Sequence, residues 1–216
     1  MKFWLTMAAV ALIAPLVHAA PEAGTDYQLL ANPQPTLDAD KIEVRELFWY
    51  GCPHCYHLEP QLEAWRKEQG EDVDFVRMPA ILGPSWELLA RGYYTAQLLG
   101  VEDKIHKPLF ERLHKQRKPV RDVADLKAFF EQQGVSGEDF DSTFQSFDVA
   151  TKTGRARQVR ALYGVTGVPV IVVNGRYLVS AQMAGGNEQM LEVVDYLVEK
   201  ERAGTDEAAP QAPAAQ

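Results

Sequence analysis

Cys52 and Cys55 are the only cysteines in a chain of 216 residues, and they stand three apart in Cys52-Pro53-His54-Cys55. Thiols at that spacing can close into a small disulfide ring and reopen without rearranging a fold, because disulfides form and break through thiolate attack. The pair is therefore a candidate redox centre. Other uses of paired cysteines fit less well. A structural zinc site wants four ligands, commonly two such pairs, and the other imidazoles (His57, His106, His114) come from two separate regions. Haem attachment needs histidine directly after the second cysteine; that position is Tyr56, and His57 comes one residue late. An inert disulfide is the plainest alternative for an exported protein. A bridge closing so short a loop, however, adds little stability.

A redox role gives each residue a task. Cys52 falls at the start of a helix-like run, with Pro53 in the first turn, where a missing N–H costs nothing. Unpaired backbone N–H groups and the positive end of the helix dipole favour an anion there, so Cys52 is expected to be acidified and nucleophilic. Cys55 lies one turn further in and would resolve the mixed disulfide formed at Cys52. His54, between them, can give a hydrogen bond or a positive charge to the Cys52 sulfur. Stabilising the thiolate stabilises the reduced form. Each pKa unit below ambient pH is worth ~1.4 kcal/mol, about 30 mV for two electrons, toward an oxidising disulfide.

The elements that hold these residues follow from periodicity. Ile42 to Tyr50 reads as a buried strand and Pro53 to Gln69 as a helix with a Cys55, Leu58, Leu62, Trp65 stripe. Val73 to Met78 is a second strand, so the cysteines sit at the turn of a β-α-β unit. A short strand is expected at Tyr27-Leu30. From Ser85 to Tyr163 the pattern is helical, with Pro108 expected to kink or delay one helix. Val170 to Val173 and Arg176 to Val179 flank Asn174-Gly175, a strong hairpin signal, and Glu188 to Arg202 closes as a helix. The predicted fold is α/β: a thioredoxin-like mixed sheet split by an inserted all-helical domain. The expected boundaries are 1–19 signal peptide, 20–82 first part of the sheet domain, 83–163 helical insertion, 164–203 second part, and 204–216 a disordered Ala/Pro-rich tail.

Glu46 shares strand parity with Ile42, Val44, Phe48 and Tyr50, and Arg77 with Val73 and Phe75. A buried Glu46–Arg77 pair beneath the site is expected, either modulating Cys55 or purely structural. His57 is read as an exposed helix residue.

Composition bounds the partners. Lys2 and an apolar Phe3 to Val17, followed by Val17-His18-Ala19, read as an export signal cut after Ala19. Pro15 interrupts that stretch, which falls short of the ~20 apolar residues a spanning helix needs. The net charge is −8 and no basic stripe interleaves with aromatics, so nucleic acid is a poor partner. A chain this poor in cysteine does not rely on disulfides for its core.

Phe48-Trp49-Tyr50-Gly51-Cys52-Pro53-His54-Cys55-Tyr56, the helical insertion, and Gly167-Val168-Pro169 ahead of Val173-Asn174-Gly175-Arg176-Tyr177 together resemble the DsbA family, periplasmic thiol:disulfide oxidases of Gram-negative bacteria. The similarity runs from about Tyr27 to Arg202. It implies that Cys52 exchanges with substrate thiols and that Cys55 is its buried partner. It also implies that Pro169 is a cis-proline facing them, and that Val168 offers its backbone to an extended substrate segment. Re-oxidation by a DsbB-like membrane protein, a monomeric state, and no metal or organic cofactor beyond the Cys52–Cys55 disulfide follow from the same likeness. An acid at Glu46 and a base on the neighbouring strand are also family features. The rival enzymes are a disulfide isomerase or a reductase. Isomerases of the wider group carry an N-terminal dimerisation domain, for which Ala20 to Lys41 is expected to be too short. The non-enzymatic rival is a chaperone with an inert disulfide.

Overall fold

The computed structural model describes residues 20–204. The expected signal peptide, and all but the first residue of the expected tail, lie outside the described residues. Strand β1 (Gln28–Leu29), the core of the short strand expected at Tyr27-Leu30, precedes β2 (Ile42–Phe48), α1 (Pro53–Glu68) and β3 (Val73–Pro79). β2 is apolar at nearly every second position and buried along almost its whole length, as a central strand must be. It ends two residues short of the expected Tyr50, because the Trp49 carbonyl turns to accept the Cys52 N–H at 2.9 Å. That turn delivers Cys52 to the head of α1.

Helices α2 (Pro84–Leu98), α3 (Glu102–His114), α4 (Val123–Gln132), α5 (Gly137–Phe144) and α6 (Phe147–Leu162) occupy the interval between β3 and the next strand. Asp122, Ser136 and Ser146 cap α4, α5 and α6 by accepting from backbone N–H groups three residues on. Pro108 lies inside α3 without delaying it, since the helix already begins at Glu102. The chain then returns through β4 (Val170–Val173), β5 (Tyr177–Ser180), a short α7 (Ala181–Ala184) that no sequence signal announced, and α8 (Asn187–Arg202). Asn174 and Gly175 both take positive φ, and the Arg176 N–H closes on the Val173 carbonyl at 3.0 Å, giving the expected hairpin. A Cβ at Gly175 would lie 2.0 Å from the Gln34 carbonyl oxygen, so only glycine fits.

The sheet order is β1-β5-β4-β2-β3. β2 and β3 are parallel across the α1 crossover, whereas β4 pairs antiparallel to β2 and to β5. This is the mixed thioredoxin-like sheet. On one face, Val44, Ile171 and Val179 pack with Leu58, Leu62 and Trp65 of α1 and with Val194 and Leu197 of α8. On the other, Leu47, Val170 and Val172 join a core that includes the helical block and takes in both cysteines. The redox pair thus sits where the sheet meets the helices.

Candidate active site

Cys52 is the N-cap of α1 and Pro53 its first residue. Both cysteines are free thiols; Cys55 is fully buried and Cys52 is 8% exposed. The S–H of Cys52 donates to the Val168 carbonyl at 3.5 Å, and the Val168–Pro169 peptide is cis. The Val168 backbone, to which the family resemblance gives a substrate-pairing role, therefore faces the sulfur. The groove beside it is lined by His54, Gly167, Val168, Pro169 and Ser180, among others.

The two thiols differ sharply. The Cys52 pKa is lowered to about 6: a hydrogen bond from the Cys55 thiol is the largest cause, and it prevails over partial burial. The amides of Cys55 and His54 add to it, then the His54 charge. The Cys52 side chain makes no capping hydrogen bond of full geometry, so those amides act as oriented dipoles at the head of a helix. Burial pushes Cys55 far up, and so do its hydrogen bond to Cys52 and the negative charge of Glu46. One thiol is poised to ionise and its neighbour to hold a proton. The sequence pointed to the helix-start N–H groups, the helix dipole and His54; the largest cause is instead the Cys55 thiol, which the sequence reading used only as the resolving partner.

Glu46 and Arg77 are both buried and are directly opposite one another in the β2–β3 register. Arg77 Nε lies 3.3 Å from Glu46 Oε2, off hydrogen-bond geometry. The expected pair is really a cluster. The same guanidinium meets Glu59 at 2.7 Å, contacts Glu63, and approaches Glu102 at 3.7 Å. One cation cannot satisfy so many carboxylates. Burial first, and then repulsion from Glu59, raise the Glu46 pKa to about 8 against the pull of Arg77. Burial opposes ionisation of Glu59 as well, but His106 and Arg77 hold its carboxyl below the usual range. Glu59 sits one turn after Cys55 on the buried stripe of α1, which is a signal the sequence offered and the apolar reading passed over. A second buried pair, Arg45 with Glu43 at 2.7 Å, was also missed; the two share strand parity, so both belong to the opposite face.

His54 and His57 are exposed. His106 and His114, weighed in the sequence only as zinc ligands, face Tyr50 instead: His106 Nδ1 is 2.9 Å from its hydroxyl and His114 Nε2 is 2.7 Å from its carbonyl. Trp49 stacks on Trp86 of α2 with centroids 4.1 Å apart and planes at 10°. A Cβ at Gly51 would lie 2.4 Å from the Trp49 ring, which is why glycine precedes the cysteine.

The chain is similar to several known proteins. A DSBA-like thioredoxin domain matches residues 61–198, a stretch that begins just after the cysteines. The thiol:disulfide interchange protein DsbA of Pseudomonas aeruginosa is 42% identical over 181 residues, covering 84% of this chain and 86% of that protein. Its counterpart in Pseudomonas syringae pv. tomato is 42% identical over 187 residues, 87% of each chain. The crystal structure of Pseudomonas aeruginosa DsbA matches with a TM-score of 0.82 at 41% identity, covering 87% of this chain and 97% of that one. The oxidoreductase DsbA from Xylella fastidiosa matches at 0.80 with 38% identity, covering 86% and 100%.

Proposed function

This chain belongs to the family of DSBA-like thioredoxin-domain proteins, and on that premise we propose that it is an exported oxidase that donates its Cys52–Cys55 disulfide to newly exported proteins. A thiol:disulfide oxidoreductase can run in either direction, and the state of Cys52 decides which. A sulfur held at a pKa of about 6 beside a thiol that keeps its proton favours the reduced pair, and so makes the disulfide a willing donor. That asymmetry is the observation that carries the reading.

In the forward reaction a substrate thiolate attacks Cys52 of the disulfide. The Cys52–Cys55 bond breaks, and Cys55 leaves as a thiolate that takes up a proton. The second substrate thiolate then attacks the substrate's own sulfur in the mixed disulfide, and Cys52 departs as a stable thiolate. The substrate loses two electrons and the protein gains them. Val168, whose carbonyl lies 3.5 Å from the Cys52 sulfur, would pair with an extended substrate segment. The Cys52–Cys55 disulfide is the sole redox group in this scheme, with no metal or organic cofactor. The protein would work as a monomer in the periplasm after removal of Met1 to Ala19, and a quinone-linked, DsbB-like membrane protein would re-oxidise it.

The test mixes oxidised protein with a reduced, unfolded substrate carrying two cysteines. Rapid substrate oxidation is expected, with Cys52→Ser inactive. Cys55→Ser, given the same substrate in its disulfide form, should attack it through the Cys52 thiolate and release one substrate thiolate. A reducible mixed disulfide should then accumulate, with no Cys55 to resolve it. A Cys55→Ser protein that traps no adduct would contradict the assigned order of attack.

A further inference from the structure

We propose that His106 and His114 of α3 are positioning residues for Cys52, acting by gripping the two tyrosines that bracket the redox tetrapeptide. Tyr50 stands two residues before Cys52, and Tyr56 directly follows Cys55. His106, Phe110 and His114 recur every four residues, so they occupy one face of α3.

That face holds Tyr50 at three points. Its hydroxyl is 2.9 Å from His106 Nδ1, its ring centroid is 4.9 Å from that of Phe110, and its carbonyl is 2.7 Å from His114 Nε2. Phe48, itself beside Phe110, packs edge-on against the same ring at 5.1 Å. Tyr50 is 1% exposed, and burial pushes its pKa well up, so the phenol keeps its proton for the His106 bond. The same His114 ring stacks on Tyr56, with centroids 5.0 Å apart and planes at 14°. Tyr56 in turn donates its backbone N–H to the Cys52 carbonyl at 3.1 Å. One helix of the inserted block thus clasps both arms of the turn.

The turn itself is slight. It rests on the Cys52 N–H to Trp49 carbonyl bond at 2.9 Å, and it contains Gly51, whose backbone is the freest to move. The Cys52 thiolate depends on staying beside the Cys55 thiol and the first amides of α1. Directional interactions of this kind fall off steeply when geometry slips. A second helix anchored to Tyr50 and Tyr56 supplies rigidity that the tetrapeptide lacks, as a supporting shell does for any reactive group. His106 also lies 3.1 Å from Glu59, so the grip ends on α1 itself.

The inference rests on the acidified Cys52 of the preceding section, and one experiment separates the two. Cys52 ionisation is followed by thiolate absorbance in wild type, His114→Phe, His114→Gln and Tyr50→Phe. Wild type should titrate near 6. His114→Phe keeps a ring for Tyr56 but cannot donate to the Tyr50 carbonyl, and Tyr50→Phe loses only the hydroxyl. Each should bind the Cys52 proton about threefold more tightly, a rise of ~0.5 unit. His114→Gln, which restores an N–H donor, should return the titration toward wild type. Tyr50→Phe changes one oxygen, so the hydroxyl arm is readable even if His114→Phe does not fold. A wild-type titration near the unperturbed ~8.5 would defeat the acidified-thiol reading and this one with it. A low wild-type value left unmoved by Tyr50→Phe or His114→Phe would overturn the grip alone, whatever those variants do to thermal stability.

Discussion

At the scale of single residues, the chemistry comes down to which group keeps the Cys52 sulfur content as an anion. The Cys55 thiol contributes most, then the amides of Cys55 and His54, then the His54 charge. This order makes a ranked prediction. Cys55→Ala should raise the Cys52 pKa further than His54→Ala, as read by thiolate absorbance in each variant. The reverse ranking would give the leading role to the histidine. The tetrapeptide was legible in the sequence because its residue types and spacing carry the chemistry directly. The ranking was not, because a thiol acting as donor to its neighbour depends on two rotamers that spacing leaves open.

At the scale of elements, α1 and β2 bring a charge cluster under the site. Parity along β2 and β3 was enough to place Glu46 and Arg77 opposite one another, since side chains alternate strictly on strands. Parity said nothing of Glu59 and Glu63, which arrive from α1 and compete for the same guanidinium. Glu46, at about 8 in the folded protein, lies above the ~4.3 of an unfolded glutamate. The native state therefore holds a proton that the unfolded state has released, and this group's share of stability falls as pH rises through that window. Glu46→Gln should remove the loss: its advantage over wild type in urea denaturation should grow between pH ~4.3 and ~8 and then level off. An advantage independent of pH would mean that Glu46 is ionised throughout. The loop before α1 gives a second test at this scale. Gly51→Ala would drive a Cβ into Trp49, costing about 1–3 kcal/mol as overpacking does and shifting the fluorescence of the Trp49–Trp86 stack. Wild-type fluorescence and stability in that variant would show that the ring yields freely.

At the scale of the whole molecule, a sheet with a β-α-β start, a helical block and a β-β-α return was legible, because long periodic helices and an Asn-Gly hairpin are strong local signals. The meeting of α3 with the redox turn was not. It joins His106 and His114 to Tyr50 across more than fifty residues, and no local pattern encodes such a contact. The two redox states should also differ in global stability. The Cys52 pKa is depressed in the folded reduced protein, so its contribution is full above the unfolded thiol value of ~8.5 and is lost as pH falls through about 6. The stability of reduced over oxidised protein should therefore rise between pH ~6 and ~8.5, by up to ~1.4 kcal/mol per pH unit. Guanidinium melts of both states across that range would show it, and a flat difference would contradict it.

The disulfide's appetite for electrons is measured most directly by equilibrating the Cys52–Cys55 pair with glutathione at pH 7. A thiol that titrates at about 6, one unit below pH 7, shifts the potential about 30 mV toward the oxidising side, and the expected value lies above thioredoxin's roughly −270 mV. A potential at or below thioredoxin's would mark the pair as a reductant and contradict an oxidase built on a stabilised Cys52 thiolate.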